Sequence, residues 1–207
     1  MARPRSADFD LQREHVLASA AQLFATRGYT ATTMQQLAVA CGVSKATLYH
    51  YVRDKHELLA QITGGHVARL EDLVTQVCAL NLPAPEHLRA LILHFMQAYA
   101  RAQHEHRVLT ENVKFLEELE RQAVLDAQRR VVAAFAAAIA QLRPELQTQQ
   151  LGKPLAMLLF GMINWTFTWL RPSGPFTHES LAPLVVELFL GGLNALPAAG
   201  ATEPQRG

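Results

Sequence analysis

Apolar residues recur at helical spacing along nearly the whole chain, and no stretch keeps the period-two alternation of a half-buried strand. The pattern predicts an all-α protein of about nine helices. Residues 10–27 form the first, with Val16, Leu17, Ala20, Leu23 and Phe24 as a wide apolar stripe and Gly28 at its end. Thr33 followed three residues later by Gln36 is a capping-box pattern, so a short second helix starts there and turns Leu37, Ala38 and Cys41 inward. Gly42 stops it, because glycine takes the left-handed conformation that ends a helix within one residue, and Val43 fills the angle behind. Ser44 caps a third helix, with Leu48 and then Tyr51 or Val52 inward. Asp54 with Glu57 opens a long fourth helix, running to about Leu80 and burying Leu59, Ile62, Leu70, Leu73 and Val77.

Pro83 and Pro85 break the chain, and the next helix, residues 86–103, carries Leu88, Leu91, Ile92, Phe95, Met96 and Tyr99. HEHRVLTENVKFLEEL, from His104, reads as a short helix and a turn. His104 and His106 are two apart, so on a helix they point in different directions and cannot grip one metal; both are expected to be solvated. An alanine-rich helix over 119–142 has Val132, Phe135, Ile139 and Leu142 at near-heptad spacing, with Arg121, Arg129 and Arg130 on a solvated stripe. The last two helices span residues 152–171, ended by Pro172 and Gly174, and residues 180–196, with Pro183 in the first turn. Both are apolar around much of their circumference. They either pair with symmetry mates as a four-helix dimer interface, helped by the small pair Gly191-Gly192, or pack inside a monomer. Gly64-Gly65 in the long helix allows a close crossing or marks a hinge; close packing is the commoner use of glycine inside a helix.

Half of the 207 residues are hydrophobic, ample for a buried core, and a net charge of +1 does not announce a nucleic-acid binder. Arg3 and Arg5 sit in a Pro-containing arm that either reaches a minor groove or frays. Cys41 and Cys78 are far apart and outside metal-ligand spacing, which predicts a reduced, cytoplasmic protein without metal or cofactor, and Cys41 as a small core residue. Leu155–Leu170 is the most apolar run, but it is too short for a membrane span and Asn164, Thr166 and Thr168 interrupt it. No nucleophile-base pair, metal cluster or phosphate-cradling glycine loop supports an enzyme.

Candidate chemistry concentrates on the outer face of the third helix. Ser44, Lys45, Thr47, Tyr49 and His50 all donate hydrogen bonds, no carboxylate stands among them, and Ala46 is small enough to let a backbone come close. Lys55, in the first turn of the long helix, can add a cation beside amide hydrogens. Such a face suits phosphates and base edges in a major groove, or it is the polar outside of a plain helical hairpin.

The segment GVSKATLYHYVRDKHELL, residues 42–59, with LFATRGYTATTMQQLA before it, resembles the signature of TetR-family transcriptional repressors. The resemblance covers the first quarter of the chain; Ala46 stands where many members have glycine, and Val52 replaces a common phenylalanine. It implies a helix-turn-helix DNA-binding domain over 1–53 and a ligand-binding, dimerising domain over 54–207. It also implies that Thr33, Ser44, Lys45, Thr47, Tyr49, His50 and Lys55 touch double-stranded operator DNA, the last three mainly at phosphates. A cavity for a small-molecule effector is implied among the middle helices, lined by residues such as Met96, Tyr99, Phe115, Phe135, Met162 and Trp165, although any one of them taken alone reads more readily as plain core. GMINWTFTWLRPSG, residues 161–174, further resembles a segment of TetR-type regulators of acyl-CoA catabolism, although many of these have tyrosine where Leu170 stands. That points to an acyl-CoA effector whose phosphates meet arginines such as Arg89, Arg101 or Arg171. A sensor of amphiphilic cations and a DNA-bound scaffold answering to a protein partner are the competing readings.

Overall fold

The computed structural model describes residues 7–148, 150–171 and 174–197; Arg3, Arg5, Pro172 and the tail beyond Pro197 lie outside them. No strand occurs among the described residues. The helices are α1 Ala7–Arg27, α2 Met34–Ala40, α3 Lys45–Leu48, α4 Lys55–Ala79, α5 Ala84–Arg101, α6 Gln103–Asn112, the 3-10 turn η1 Val113–Phe115, α7 Glu118–Leu142, α8 Glu145–Thr148, α9 Gly152–Asn164, α10 Thr166–Trp169 and α11 His178–Ala195. They divide into two compact units that do not follow chain order. Of the described residues, the first takes those up to Ala68 together with Ala102–Asp126, and the second takes Arg69–Arg101 and those from Ala127 on. By chain continuity, α4 and α7 belong to both.

In the first unit each local stop and start comes from one or two side chains. Gly28, at φ +89°, ends α1 with its amide on the Phe24 carbonyl at 3.0 Å. Gly42, at φ +67°, ends α2: its amide donates to Val39 O at 3.1 Å while that of Val43 donates to Ala38 O at 3.0 Å, a Schellman closure. The Thr33–Gln36 capping box is formed in both directions. Asp54 Oδ1 accepts from the Glu57 amide at 2.8 Å, and Glu57 returns a bond to the amide of Arg53 at 2.7 Å. Val16, Phe24, Leu37, Leu48, Leu59, Val108 and Leu109 are buried, and α6 packs along α1.

Two expectations fail here. His104 is exposed, but His106 is buried, with its Nδ1 3.3 Å from Nε2 of the equally buried His66. His106 is buried together with Val108, Leu109 and Asn112, and hydropathy alone gave no sign of it because α6 is mostly polar. Gly64 does not serve a close crossing, since a Cβ added there would meet no atom within 4 Å.

The second unit is built on an aromatic cluster. Phe135 meets Phe95 at 4.8 Å and Phe160 at 4.9 Å between ring centroids, both edge-on, with Met96, Ile139, Leu159 and Ile163 fully buried around them. α5 packs against α11, and Arg143 fastens the end of α11 by donating to the carbonyls of Leu193 and Leu196 while pairing with Glu145. Arg130 on α7 reaches Glu71 on α4 at 2.5 Å, so it is not simply solvated.

The helix expected over 152–171 is interrupted at Trp165. Thr166 and Thr168 turn their hydroxyls onto the carbonyls of Ile163 and Trp165, at 2.8 and 2.7 Å, and such back-bonding bends a helix. α11 begins two residues earlier than its spacing suggested, because Thr177 and Ser180 form a capping box, and this puts Pro183 in the second turn.

Candidate nucleic-acid interface

α3 is short and tightly wound. Ser44 Oγ accepts from the Thr47 amide at 3.0 Å and lies 2.8 Å from Thr47 Oγ1; beyond Leu48 the bonds tighten to His50 N→Thr47 O at 3.1 Å and Tyr51 N→Leu48 O at 3.0 Å. Leu48 and Val52 are buried, and Tyr51 packs on Phe9 at 5.0 Å. With that side committed to the core, Ser44, Lys45, Ala46, Tyr49 and His50 are exposed together and Thr47 is half-buried. The structure thus brings six of the expected contacts into one patch, and Thr33 is exposed at the start of α2.

Lys55 sits differently. Its ammonium donates to the carbonyls of Tyr29 at 2.9 Å, Thr32 at 3.0 Å and, more weakly, Thr30 at 3.4 Å, and lies 4.5 Å from the centre of the Tyr29 ring. An ammonium has three hydrogens, and here all three face the α1–α2 turn. Tyr29 is the residue that sequence reasoning missed: it is buried, its hydroxyl lies 3.0 Å from Nδ1 of His56, and its ring stacks on Phe115 at 5.2 Å. Burial, then the carboxylates of Asp54 and Glu120, push its phenol pKa upward.

The residues expected to line an effector cavity have different settings. Phe115 belongs to the first unit. Met96, Tyr99 and Phe135 share the core of the second, where the Tyr99 hydroxyl donates to Asn164 Oδ1 at 2.8 Å and burial pushes the Tyr99 pKa up. Met162 and Trp165 lie on the opposite, exposed side of α9, with Met157, Leu158 and Gly161. Helical spacing identified the apolar rows of α9 but not which row faces in. Phe160 and Asn164 are inward partners that spacing left unnamed, and they meet Phe95 and Tyr99 of the apolar row expected on α5.

The model of bacterial regulatory proteins of the tetR family matches residues 16–62, and that of the tetracyclin repressor-like C-terminal domain matches residues 81–193, more than half of the 207. The chain belongs to the TetR family. A TetR-family transcriptional regulator from Bordetella parapertussis 12822 has a TM-score of 0.82 with it, at 34% identity, over 90% of this chain and 98% of that one. AibR, solved in complex with isovaleryl coenzyme A and operator DNA, gives 0.74 at 27% identity, over 86% of this chain and 97% of that one. The transcriptional repressor KstR2 of Mycolicibacterium smegmatis is 23% identical over 193 residues, 88% of this chain and 90% of its own.

As a TetR-family member the protein is a DNA-binding, ligand-responsive transcriptional regulator and not an enzyme. Among the described residues no helix is long and apolar enough to cross a membrane, and no group of three or more His, Cys, Asp or Glu could hold a metal ion.

Proposed function

We infer that this TetR-family protein is a homodimeric repressor, acting in the cytoplasm, whose two α3 faces read a palindromic operator and which an acyl-CoA thioester releases. The observation that carries the reading is the α3 patch of exposed donors without a carboxylate. Lys45, Tyr49 and His50 meet phosphates and base edges, Ser44 and Thr47 add hydroxyls, Ala46 admits the backbone, and Thr33 and Lys55 flank the patch. Residues 1–53 carry the DNA contacts and 54–207 the effector and dimer functions. That is a division of labour and not of packing, since residues 54–68 and 102–126 fold with the N-terminal part.

Dimerisation is supported by the outward face of α9 to α11. Leu188 is 68% exposed, Leu158 65% and Trp165 58%, with Met157, Trp169, Phe176 and Leu184 also exposed and with Gly161, Gly191 and Gly192 open around the Cβ they lack. Large apolar exposure of this kind marks an interaction surface. For the effector, AibR's isovaleryl coenzyme A is a chemical precedent. An acyl tail would enter among Met96, Tyr99, Phe135 and Phe160, with the Tyr99–Asn164 pair as the polar group that reads a thioester carbonyl. Arg101 and Arg171 are exposed in the same unit and suit its phosphates; Arg89 is paired with Glu187 at 2.9 Å.

The test is selection of duplexes from a random pool by the wild-type protein, followed by thermal-shift screening with isovaleryl-CoA, longer acyl-CoAs, the free acids and cationic dyes. CoA esters raise the melting midpoint and weaken binding to the selected duplex by up to about 150-fold, the upper end of an ordinary allosteric coupling. A response to dyes alone, or to none of these, removes the acyl-CoA reading and leaves the operator reading to the duplex data.

A further inference from the structure

We propose that Phe115 is a positioning residue for the operator-reading face: from the turn after α6 its ring holds Tyr29, and through Tyr29 the link from which α2 starts. This deepens the DNA-binding reading and rests on it. The link between α1 and α2 runs from Gly28 to Thr33, and Tyr29 is its anchor. Four groups hold that side chain. Phe24 meets the ring edge-on at 5.1 Å, Phe115 stacks on it at 5.2 Å with planes 29° apart, Lys55 sits over it at 4.5 Å, and Nδ1 of His56 meets its hydroxyl at 3.0 Å. The same ammonium of Lys55 gathers the carbonyls of Tyr29, Thr30 and Thr32, and Thr32 closes back with its amide on Tyr29 O at 3.3 Å and its hydroxyl on Gly28 O at 2.8 Å. Where the Tyr29 ring goes, the backbone leading into the Thr33 cap goes with it.

Three of those four groups come from α1 and α4, the elements that flank the hairpin in the chain. Phe115 is the one that arrives from beyond α5. It sits on a single 3-10 turn, whose hydrogen bonds are poorer than those of an α-helix, and Leu116 after it is extended at ψ 151°. Its ring is only half-buried, so it can leave Tyr29 without opening a core. The chain then enters α7, which carries Phe135 of the aromatic cluster.

Hydrogen exchange and duplex binding on the intact chain test this, using Phe115→Leu, which keeps apolar volume but loses the stack, Phe115→Ala, and Phe115→Tyr, which keeps it. Phe115→Leu is expected to speed exchange at the amides of Thr32, Gln36 and Leu37 and to weaken binding to the duplex selected by the wild type about three- to tenfold, the scale of one aromatic pair, with Phe115→Tyr restoring both. Unchanged exchange over residues 29–37 in the leucine and alanine variants overturns the proposal. So does faster exchange spread evenly through the first unit that tyrosine does not rescue, because that is loss of packing and not of position. If the wild type selects no duplex, the operator reading fails, and the exchange data alone decide whether Phe115 holds the link.

Discussion

Single side chains in this protein take their behaviour from what surrounds them more than from their type. Lys45 and Lys55 show it best, since one projects from the exposed α3 patch and the other is gathered by three carbonyls. Lys45→Ala is expected to leave folding stability unchanged, weaken duplex binding and lower the slope of log K against log salt by about 0.9 for each phosphate lost. Lys55→Met is expected to cost stability itself, about 1.5 to 3 kcal/mol in urea titration, the range for hydrogen bonds to a charged group. The two thiols differ likewise. Cys41 is buried and its pKa is pushed up by burial, only partly offset by a hydrogen bond with Ser19, whereas Cys78 is exposed with its Sγ 3.7 Å from Nε2 of His87. A thiol reagent should therefore label one site at once, mapped by mass spectrometry to Cys78, and reach Cys41 only when the protein unfolds.

His178 supplies the pH dependence at this scale. It is buried beside Thr166 at 3.2 Å, and burial holds its pKa below the ordinary 6.5 because the imidazolium is disfavoured there. The unfolded chain takes up a proton that the folded chain refuses, so the stability present above pH 6.5 is lost as pH falls from there towards the folded value. Melting midpoints should drop between about pH 7.5 and about pH 5.5, and less steeply in His178→Gln.

At the scale of elements, the starts and stops were legible wherever they depend on neighbours in the chain. Gly28, the Thr33–Gln36 box, the Gly42 turn, the Ser44 cap and the Asp54–Glu57 cap all act within five residues, and all are formed. Gly42→Ala places a Cβ at φ +67°, which costs about 1 to 2 kcal/mol although no neighbour would touch it. Thr33→Ala removes one cap, about 1 kcal/mol, seen as a melting shift of about 2–4 °C. What was not legible depends on which side of a helix finds a partner far along the chain. His106 meets His66, Phe115 meets Tyr29, and α9 turns Phe160 in and Trp165 out; spacing gives the rows without the side. The break at Trp165 lies between these cases, since the threonines that cause it are visible while their choice of back-bonding over helix is not.

At the scale of the whole molecule, the α3 patch was readable because its donors lie within seven residues, Ser44 to His50, and every outer one is polar or small. Residues of an effector cavity are not marked out in the same way, because aromatic residues at helical spacing fill cores and pockets alike. The proposed function needs two copies, since half-sites in successive major grooves lie roughly 34 Å apart and one α3 would reach only one of them. Leu188→Glu on the outward face of α11 is expected to give a folded monomer by sedimentation, with duplex binding reduced to the non-specific level, Kd about 10⁻⁴ to 10⁻⁶ M.

The most direct test of the central claim is selection of duplexes from a random pool by the wild-type chain and by a Lys45→Ala, Tyr49→Ala variant of unchanged melting midpoint and dimeric state. A palindromic sequence enriched by the wild type and bound at least about a hundredfold more weakly by the variant is the result expected from losing two contacts at each of two half-sites. Equal binding by both proteins would mean that the face of α3 does not read DNA.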